Sequence, residues 1–123
     1  MNGNEVVLDA NILLYLFSGD PTVTEFLEGK DGYISVITEL EVIGYPKIND
    51  HDLLFIKGFL SGCTIIEINK EIKDIYISLR RNYNLKLGDA AAAATAIYLK
   101  FPFMSADKDF NKVKELDFAL YSR

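Results

Sequence analysis

The chain has 123 residues, near the commonest size of a globular domain, and half of them are hydrophobic, so we expect a single domain over residues 1–123. Its one cysteine, Cys63, excludes an internal disulfide, and no apolar run approaches the roughly 20 residues of a membrane span. The net charge of −5 disfavours unassisted binding to a polyanion. These features predict a cytoplasmic protein with neither a signal peptide nor a membrane segment.

The N-terminal stretch predicts a buried strand that leads into an amphipathic helix. Residues 6–8 form an apolar run, and residues 12–17 carry apolar side chains at helical spacing. Asp9 lies between the two, where the carboxyl end of a strand meets a helix. Sites in open α/β sheets form at that edge. A purely structural role as a helix N-cap is the alternative for this aspartate.

The rest of the chain alternates between helix and strand. Further strands are predicted at residues 33–36, 64–68, 101–105 and 118–121. Further helices are predicted at residues 22–28, in the segment that ends at Gly44, at residues 49–60, after a cap at Asn69, and in the alanine-rich segment that opens at Gly88 and Asp89. This alternation predicts an α/β fold, a three-layer α/β/α sandwich around a central, mostly parallel sheet of four to five strands.

Three more acidic residues lie where a predicted strand ends or a helix begins. Glu41 follows the second strand in the pattern S-x-x-T-x-x-E, Asp89 opens the alanine-rich helix, and Asp107 follows the fourth strand. On a helix, Glu41 shares a face with Thr38, whereas Glu39 points the other way. Glu41 is therefore the glutamate that we expect to face a site.

Each of these acids also has a structural explanation. Thr38 and Glu41 match a capping box, Asp89 an N-cap, and Asp107 a turn former. Together they are more informative, because four elements place an acid at one edge of the sheet. Two such charges about 4 Å apart repel by about 4 kcal/mol at an effective dielectric near 20. Oxygen ligands suit a hard ion, so the cluster predicts a Mg²⁺ or Mn²⁺ site capable of phosphodiester hydrolysis.

Four segments carry a family resemblance. VVLDANILLYLF, ISVITELEV, LKLGDAAAAATAIYL and FMSADKDF resemble, in order, the four motifs of the PIN domain, and the chain is most similar to the VapC-like ribonuclease toxins of type II toxin–antitoxin systems. The resemblance spans essentially the whole chain. It implies a PIN-like fold and a metal-dependent endoribonuclease acting on single-stranded regions of RNA. It also implies a homodimer and a cognate antitoxin as partner.

By motif position, the resemblance assigns catalysis and binding of Mg²⁺ or Mn²⁺ to four acids: Asp9, Glu41, Asp89 and Asp107. Four neighbouring polar residues are assigned supporting roles: Asn11, Thr38, Ser105 and Asp109. The first three would orient ligands or water, and the last either assists or replaces the acid that precedes it. Ala10 is a departure, because the family commonly has a hydroxyl residue there.

Binding surfaces are less distinct in the sequence. Arg80, Arg81 and Lys86 form the densest basic patch, which is either an RNA phosphate contact or a solvated helix end. The apolar faces of residues 22–27 and 49–60 are candidates for the antitoxin interface.

Two other enzyme classes with acids at strand ends are disfavoured. A phosphoacceptor receiver domain needs an acidic pair after the first strand, where Asp9 stands alone. A haloacid-dehalogenase-type phosphatase needs Asp-x-Asp, where the chain reads Asp9-Ala10-Asn11. A catalytically silent PIN-like binding module, whose acidic cleft accommodates a protein partner, is the alternative to a ribonuclease.

Overall fold

The computed structural model describes residues 2–122. Within them, five strands form one sheet: β1 Glu5–Leu8, β2 Asp31–Ser35, β3 Thr64–Ile66, β4 Phe103–Ser105 and β5 Phe118–Leu120. The helices of this region are α1 Ala10–Phe17, α2 Pro21–Leu27, α3 Val36–Ile43, α4 Asp50–Ser61, α5 Lys70–Asn82, α6 Leu87–Leu99 and a 3₁₀ helix, Lys108–Lys112. The strand order is β3-β2-β1-β4-β5, and every pair is parallel. The predicted α/β/α sandwich is confirmed, with five strands and a fully parallel sheet.

Strand side chains alternate between two apolar layers, as the pleat requires. Val7 and Phe103 belong to the layer formed with α5 and α6, whereas Leu8 and Met104 belong to the layer formed with α1 to α4. In the first layer, residues 90–96 of α6 are all buried, and their small side chains let this helix lie close to the sheet. No helix within residues 2–122 combines the length and apolarity needed to cross a lipid bilayer.

Polar side chains set the starts of several helices. Asn69 Oδ1 accepts a hydrogen bond from the Ile72 amide at 2.8 Å, which confirms the predicted cap of α5. Ser35 caps α3 through its hydroxyl, so Thr38 lies inside that helix. The capping-box explanation of Thr38 and Glu41 is therefore wrong, and both side chains need another one.

The strand order reverses direction at β1. The next two strands in the chain, β2 and β3, lie on one side of it, and the last two, β4 and β5, lie on the other. The carboxyl ends of β1 and β4 therefore border the crevice at which open α/β sheets bind ligands. This order also differs from the 2-1-3-4-5 order of receiver domains, which removes that alternative.

Candidate active site

Asp9 is the buried centre of a group of acids at the carboxyl edge of the sheet. Its amide donates to the Met104 carbonyl at 3.0 Å, so the backbone is still joined to β4, and the residue is 6% exposed. Its Oδ1 accepts from the Ala10 amide at 2.9 Å, so Asp9 does cap α1 while facing the site. The pKa of Asp9 is raised from 3.8 to about 6, chiefly by burial and to a smaller extent by the charges of Asp89 and Glu41, while hydrogen bonds from Ser105 and Ala10 act to lower it.

Ser105 and Asn11 hold the Asp9 carboxylate in place. Ser105 Oγ donates to Asp9 Oδ2 at 2.7 Å and accepts from Asn11 Nδ2 at 3.1 Å and from the Asp107 amide at 3.0 Å. Asn11 Oδ1 in turn accepts from the Ala106 amide at 3.2 Å. Since a hydroxyl offers one donor and two acceptor positions, all three positions of Ser105 are used. The network therefore joins the end of β1 to the loop that carries Asp107.

Glu41 approaches the same site from α3. A Cβ atom at Gly88 would overlap the Glu41 carboxylate, so this carboxylate can occupy its present position only with glycine at residue 88. Burial and the charge of Asp89 raise the pKa of Glu41. Glu39 lines a separate cavity between α3 and α4. The structure thus brings Glu41, and not Glu39, to the acidic edge.

Asp89 links the acids on the two sides of the site. Because α6 begins at Leu87, Asp89 lies in its first turn rather than at its N-cap, and the helix dipole favours an anion there. Burial and then the charge of Asp107 raise the pKa of Asp89, while Lys86 lowers it. Asp89, Asp107 and Asp109 line one groove of about 440 Å³.

The loop after β4 gives its two aspartates a structural role as well. Asp107 Oδ1 accepts from the Asp109 amide at 2.9 Å and caps the 3₁₀ helix, as its turn-forming chemistry predicts. Both side chains nevertheless line the groove. We refer to the five acids of this edge as the carboxylate cluster: Asp9, Glu41, Asp89, Asp107 and Asp109.

Thr38 leaves a polar atom unsatisfied beside this cluster. It is 1% exposed, and within residues 2–122 its Oγ1 has no hydrogen-bond partner. An unpaired buried hydroxyl costs about 1–3 kcal/mol. Thr38 lies one helical turn before Glu41, on the same face of α3, so this orphaned oxygen borders the acidic site.

The donors of the carboxylate cluster fit a hard divalent cation. They are all oxygen atoms, and burial together with mutual repulsion disfavours their charges, a cost that a cation would offset. Within residues 2–122 the one ion pair joins Lys70 to Asp74 on the exposed side of α5, so no lysine or arginine of this range forms an ion pair with the cluster. Lys86 and Lys112 act on Asp89 from a longer distance and offset only part of the repulsion. In the same range no three acidic, histidine or cysteine side chains converge on one point as a preformed metal site.

Two contributors to the site have no motif in the sequence. Gly88 matters through its contact with Glu41, which depends on how α3 and α6 cross. Lys112 Nζ donates to the Asn84 carbonyl at 2.9 Å, and its charge lowers the pKa of Asp89. A glycine before an aspartate and a single lysine at the end of a short 3₁₀ helix are too common for the sequence to single them out.

Comparisons with known proteins agree with this architecture. The family model described as PIN domain matches residues 6–116. A chain of the toxin–antitoxin complex from Klebsiella pneumoniae is 33% identical, with a TM-score of 0.79, over 90% of this chain and 94% of that one. No curated protein matches the sequence significantly.

Two further solved structures are similar in fold. VapBC2 from Rickettsia felis, bound to a DNA fragment from its promoter, gives a TM-score of 0.85 at 20% identity over 96% of this chain and 99% of that one. VapBC-1 from nontypeable Haemophilus influenzae gives a TM-score of 0.78 at 20% identity over 94% and 97%. At this identity the two structures establish the fold alone.

Proposed function

Because the chain belongs to the PIN-domain family, we propose that it is an endoribonuclease that depends on Mg²⁺ or Mn²⁺ and hydrolyses phosphodiester bonds in single-stranded regions of RNA. The observation that carries this proposal is the buried Asp9 carboxylate, which lies among the other acids of the cluster where the strand order reverses. Strongly perturbed acids at such a crevice are typical of functional sites.

We assign the following roles in metal binding to residues of this chain. Asp9, Asp89 and Asp107 hold the divalent ion, and Glu41 completes the set directly or through water. A bound ion of this kind stabilises negative charge on phosphoryl and leaving oxygens and lowers the pKa of a water molecule. The Ser105 hydroxyl fixes the direction of the Asp9 carboxylate, as neighbours of metal ligands generally do.

The test is cleavage of a pool of structured RNAs by purified protein in Mg²⁺, in Mn²⁺ and in EDTA. We expect cleavage with either ion, loss of cleavage in EDTA, and a rate lower by about a hundredfold or more in Asp9→Asn. Asp117→Asn is the matched control, because Asp117 is an exposed aspartate before β5, at the opposite edge of the sheet. No cleavage of any RNA and no ion binding by calorimetry would favour the silent binding module instead.

We also propose that the chain is the toxin of a toxin–antitoxin pair. Its 33% identical relative comes from a toxin–antitoxin complex and matches nearly end to end. The antitoxin would cover the predicted apolar faces of α2 and α4, where Leu27 and Phe59 line a common cavity of about 170 Å³. Leu54 is 73% exposed on α4, and the Phe17 ring packs edge-on against Phe55 and Phe59. Exposed apolar surface of this kind is typical of a protein interface.

A different face would support the proposed homodimer. Leu40, on α3, is 61% exposed and lies one turn after Ile37. Ile37, Tyr76 and Leu87 line an apolar cavity of about 260 Å³ between α3, α5 and α6. Burial of this face against a second copy would remove its apolar side chains from water.

Two substitutions distinguish these interfaces. Leu40→Lys is expected to convert the dimer to a monomer in sedimentation velocity without weakening antitoxin binding. Leu54→Lys is expected to weaken binding of the proposed antitoxin and to leave the dimer intact. Since both leucines are exposed, each variant is the control for the other. Equal effects of the two variants on both measurements would contradict the assignment of faces.

A further inference from the structure

Within residues 2–122, positive side chains line the groove beside the carboxylate cluster without forming an ion pair with it. Arg80, in the last turn of α5, and Lys86, just before α6, share the groove with three aspartates of the cluster. Neither forms an ion pair, since the one such pair within residues 2–122 lies elsewhere on α5. Lys86 acts on Asp89 only from a longer distance, where it lowers the pKa of that carboxyl, so both side chains can still bind an anion that enters the groove.

Neutral partners hold two of the positive side chains at this groove. Arg80 Nη1 donates to Tyr76 Oη at 2.9 Å, and its guanidinium lies 5.8 Å from the centroid of the Tyr76 ring. Lys112 does not line the groove itself, but its Nζ donates to the carbonyl of Asn84, which does. Both contacts are to neutral groups, so they restrain the side chains without placing them in an ion pair, although the charge of Lys112 also lowers the pKa of Asp89. A restrained cation loses less conformational entropy when it binds an anion.

Because the whole chain is negatively charged, binding of an anionic RNA strand requires a local group of positive side chains. The net charge of −5 repels a polyanion, and the cluster adds several acids at the point where a phosphate must arrive. Lysine and arginine contacts to phosphates fix the position of a nucleic acid without reading its sequence. Arg80, Lys86 and Lys112 lie where such contacts would hold a strand against the acids.

We propose that Arg80, Lys86 and Lys112 form a phosphate-binding site that holds the RNA backbone beside the carboxylate cluster, with the strand crossing the α5–α6 side of the groove. The inference rests on the proposed function and names the part of that site that binds the substrate backbone. The volume of about 440 Å³ lies within the range of about 300–1,000 Å³ that is usual for ligand sites.

The experiment measures binding of a fluorescent single-stranded RNA pool to the full chain in EDTA, where cleavage does not interfere. Affinity is followed by anisotropy between about 50 and 200 mM NaCl, since each phosphate contact to a single strand contributes about 0.7 to the slope of log affinity against log salt. The variants are Arg80→Gln, Lys86→Gln and Lys112→Gln, which remove the charge and keep a polar donor. Arg81→Gln is the matched control, because Arg81 is exposed on the same helix and does not line the groove.

We expect each of the three variants to reduce the slope by about 0.7, so that its affinity loss over this salt range is about 2.6-fold smaller than that of the wild type. Arg81→Gln should keep the wild-type slope. Unchanged slopes in all three variants, an equal change in Arg81→Gln, or no binding by the wild type would each overturn the phosphate site. Ribonuclease assays in Mg²⁺ separate the two proposals. If the variants reduce the slope but the wild type cleaves no RNA, the ribonuclease proposal is contradicted and the phosphate site is not. If the wild type cleaves RNA but the variants leave the slope unchanged, the phosphate site is contradicted and the ribonuclease proposal is not.

Discussion

Asp9 is expected to destabilise the metal-free protein at neutral pH, and Asp9→Asn to relieve that cost. The residue is 6% exposed, and burial raises its pKa from 3.8 to about 6. That difference corresponds to about 3 kcal/mol between the two protonation states. Below about pH 3 the carboxyl is protonated in both folded and unfolded chains. As the pH rises towards 6 the unfolded chain ionises first, so the folded state loses up to about 3 kcal/mol of stability, and the loss is complete above that pH.

An asparagine cannot reproduce every hydrogen bond of the carboxylate. The Ala10 amide donates to Oδ1 and the Ser105 hydroxyl to Oδ2, so the NH₂ group of an amide must face one of these donors. Loss of that hydrogen bond costs about 1 kcal/mol. The net expectation for Asp9→Asn is a gain of about 2 kcal/mol near pH 7.5, where the wild-type residue is charged, and a loss of about 1 kcal/mol near pH 3, where it is neutral in both the folded and the unfolded chain.

Urea unfolding of both proteins in EDTA at these two pH values is the assay. At each pH, the free energy of unfolding of the wild type is subtracted from that of Asp9→Asn. The change in this difference between the two pH values is decisive, because packing effects that do not depend on pH cancel from it, and we expect it to be about 3 kcal/mol. A stability difference that is the same at both pH values would refute the argument, since it would mean that the folded protein does not disfavour the charge on Asp9.

Three further outcomes follow from the geometry of the site. Gly88→Ala should lower the cleavage rate at least tenfold, because its Cβ would displace the Glu41 carboxylate, whereas Gly58→Ala, in open space on α4, should leave the rate unchanged. Ser105→Ala removes a hydrogen bond that lowers the pKa of Asp9, so the acidic limb of the pH–rate profile should move up by about one pH unit. Mg²⁺ at about 100 times its dissociation constant should stabilise the wild type to thermal unfolding by about 2.7 kcal/mol and stabilise Asp9→Asn by less, which calorimetry would measure. Equal stabilisation of the two proteins would remove Asp9 from the ligand set.

The order of the elements could be predicted because the apolar pattern changes period at each junction, but the strand ends could not. Residues 67–68 and 101–102 read as strand, yet β3 ends at Ile66 and β4 begins at Phe103. Ile68 and Phe101 are partly buried against the layer of α5 and α6 without pairing in the sheet. An apolar pattern reports burial rather than backbone hydrogen bonding, so it extends a strand past its last partner.

The sequence predicted that acidic residues gather at one edge of the sheet, but not the contacts that position them there. The hydrogen bond from Ser105 to Asp9 joins residues 96 positions apart and depends on the register that pairs Leu8 with Met104. The contact between Glu41 and Gly88 depends likewise on the approach of two helices. Motif positions place these residues near one another in a known family, but only the packed sheet fixes which oxygen faces which donor.

The local role of Asp9 does not account for its charge. As the N-cap of α1 it could be replaced by serine, threonine or asparagine, which cap helices comparably well and carry no charge to bury. An aspartate instead stands at a position where its ionisation is disfavoured by burial and by the charges of two neighbouring acids. Helix capping alone would favour a neutral residue under these conditions. The stability that the charge on Asp9 is expected to cost the metal-free protein is best explained by a ligand that compensates this charge. Comparing Asp9→Asn with the wild type measures that cost in the absence of Mg²⁺ and the stabilisation by the ion in its presence.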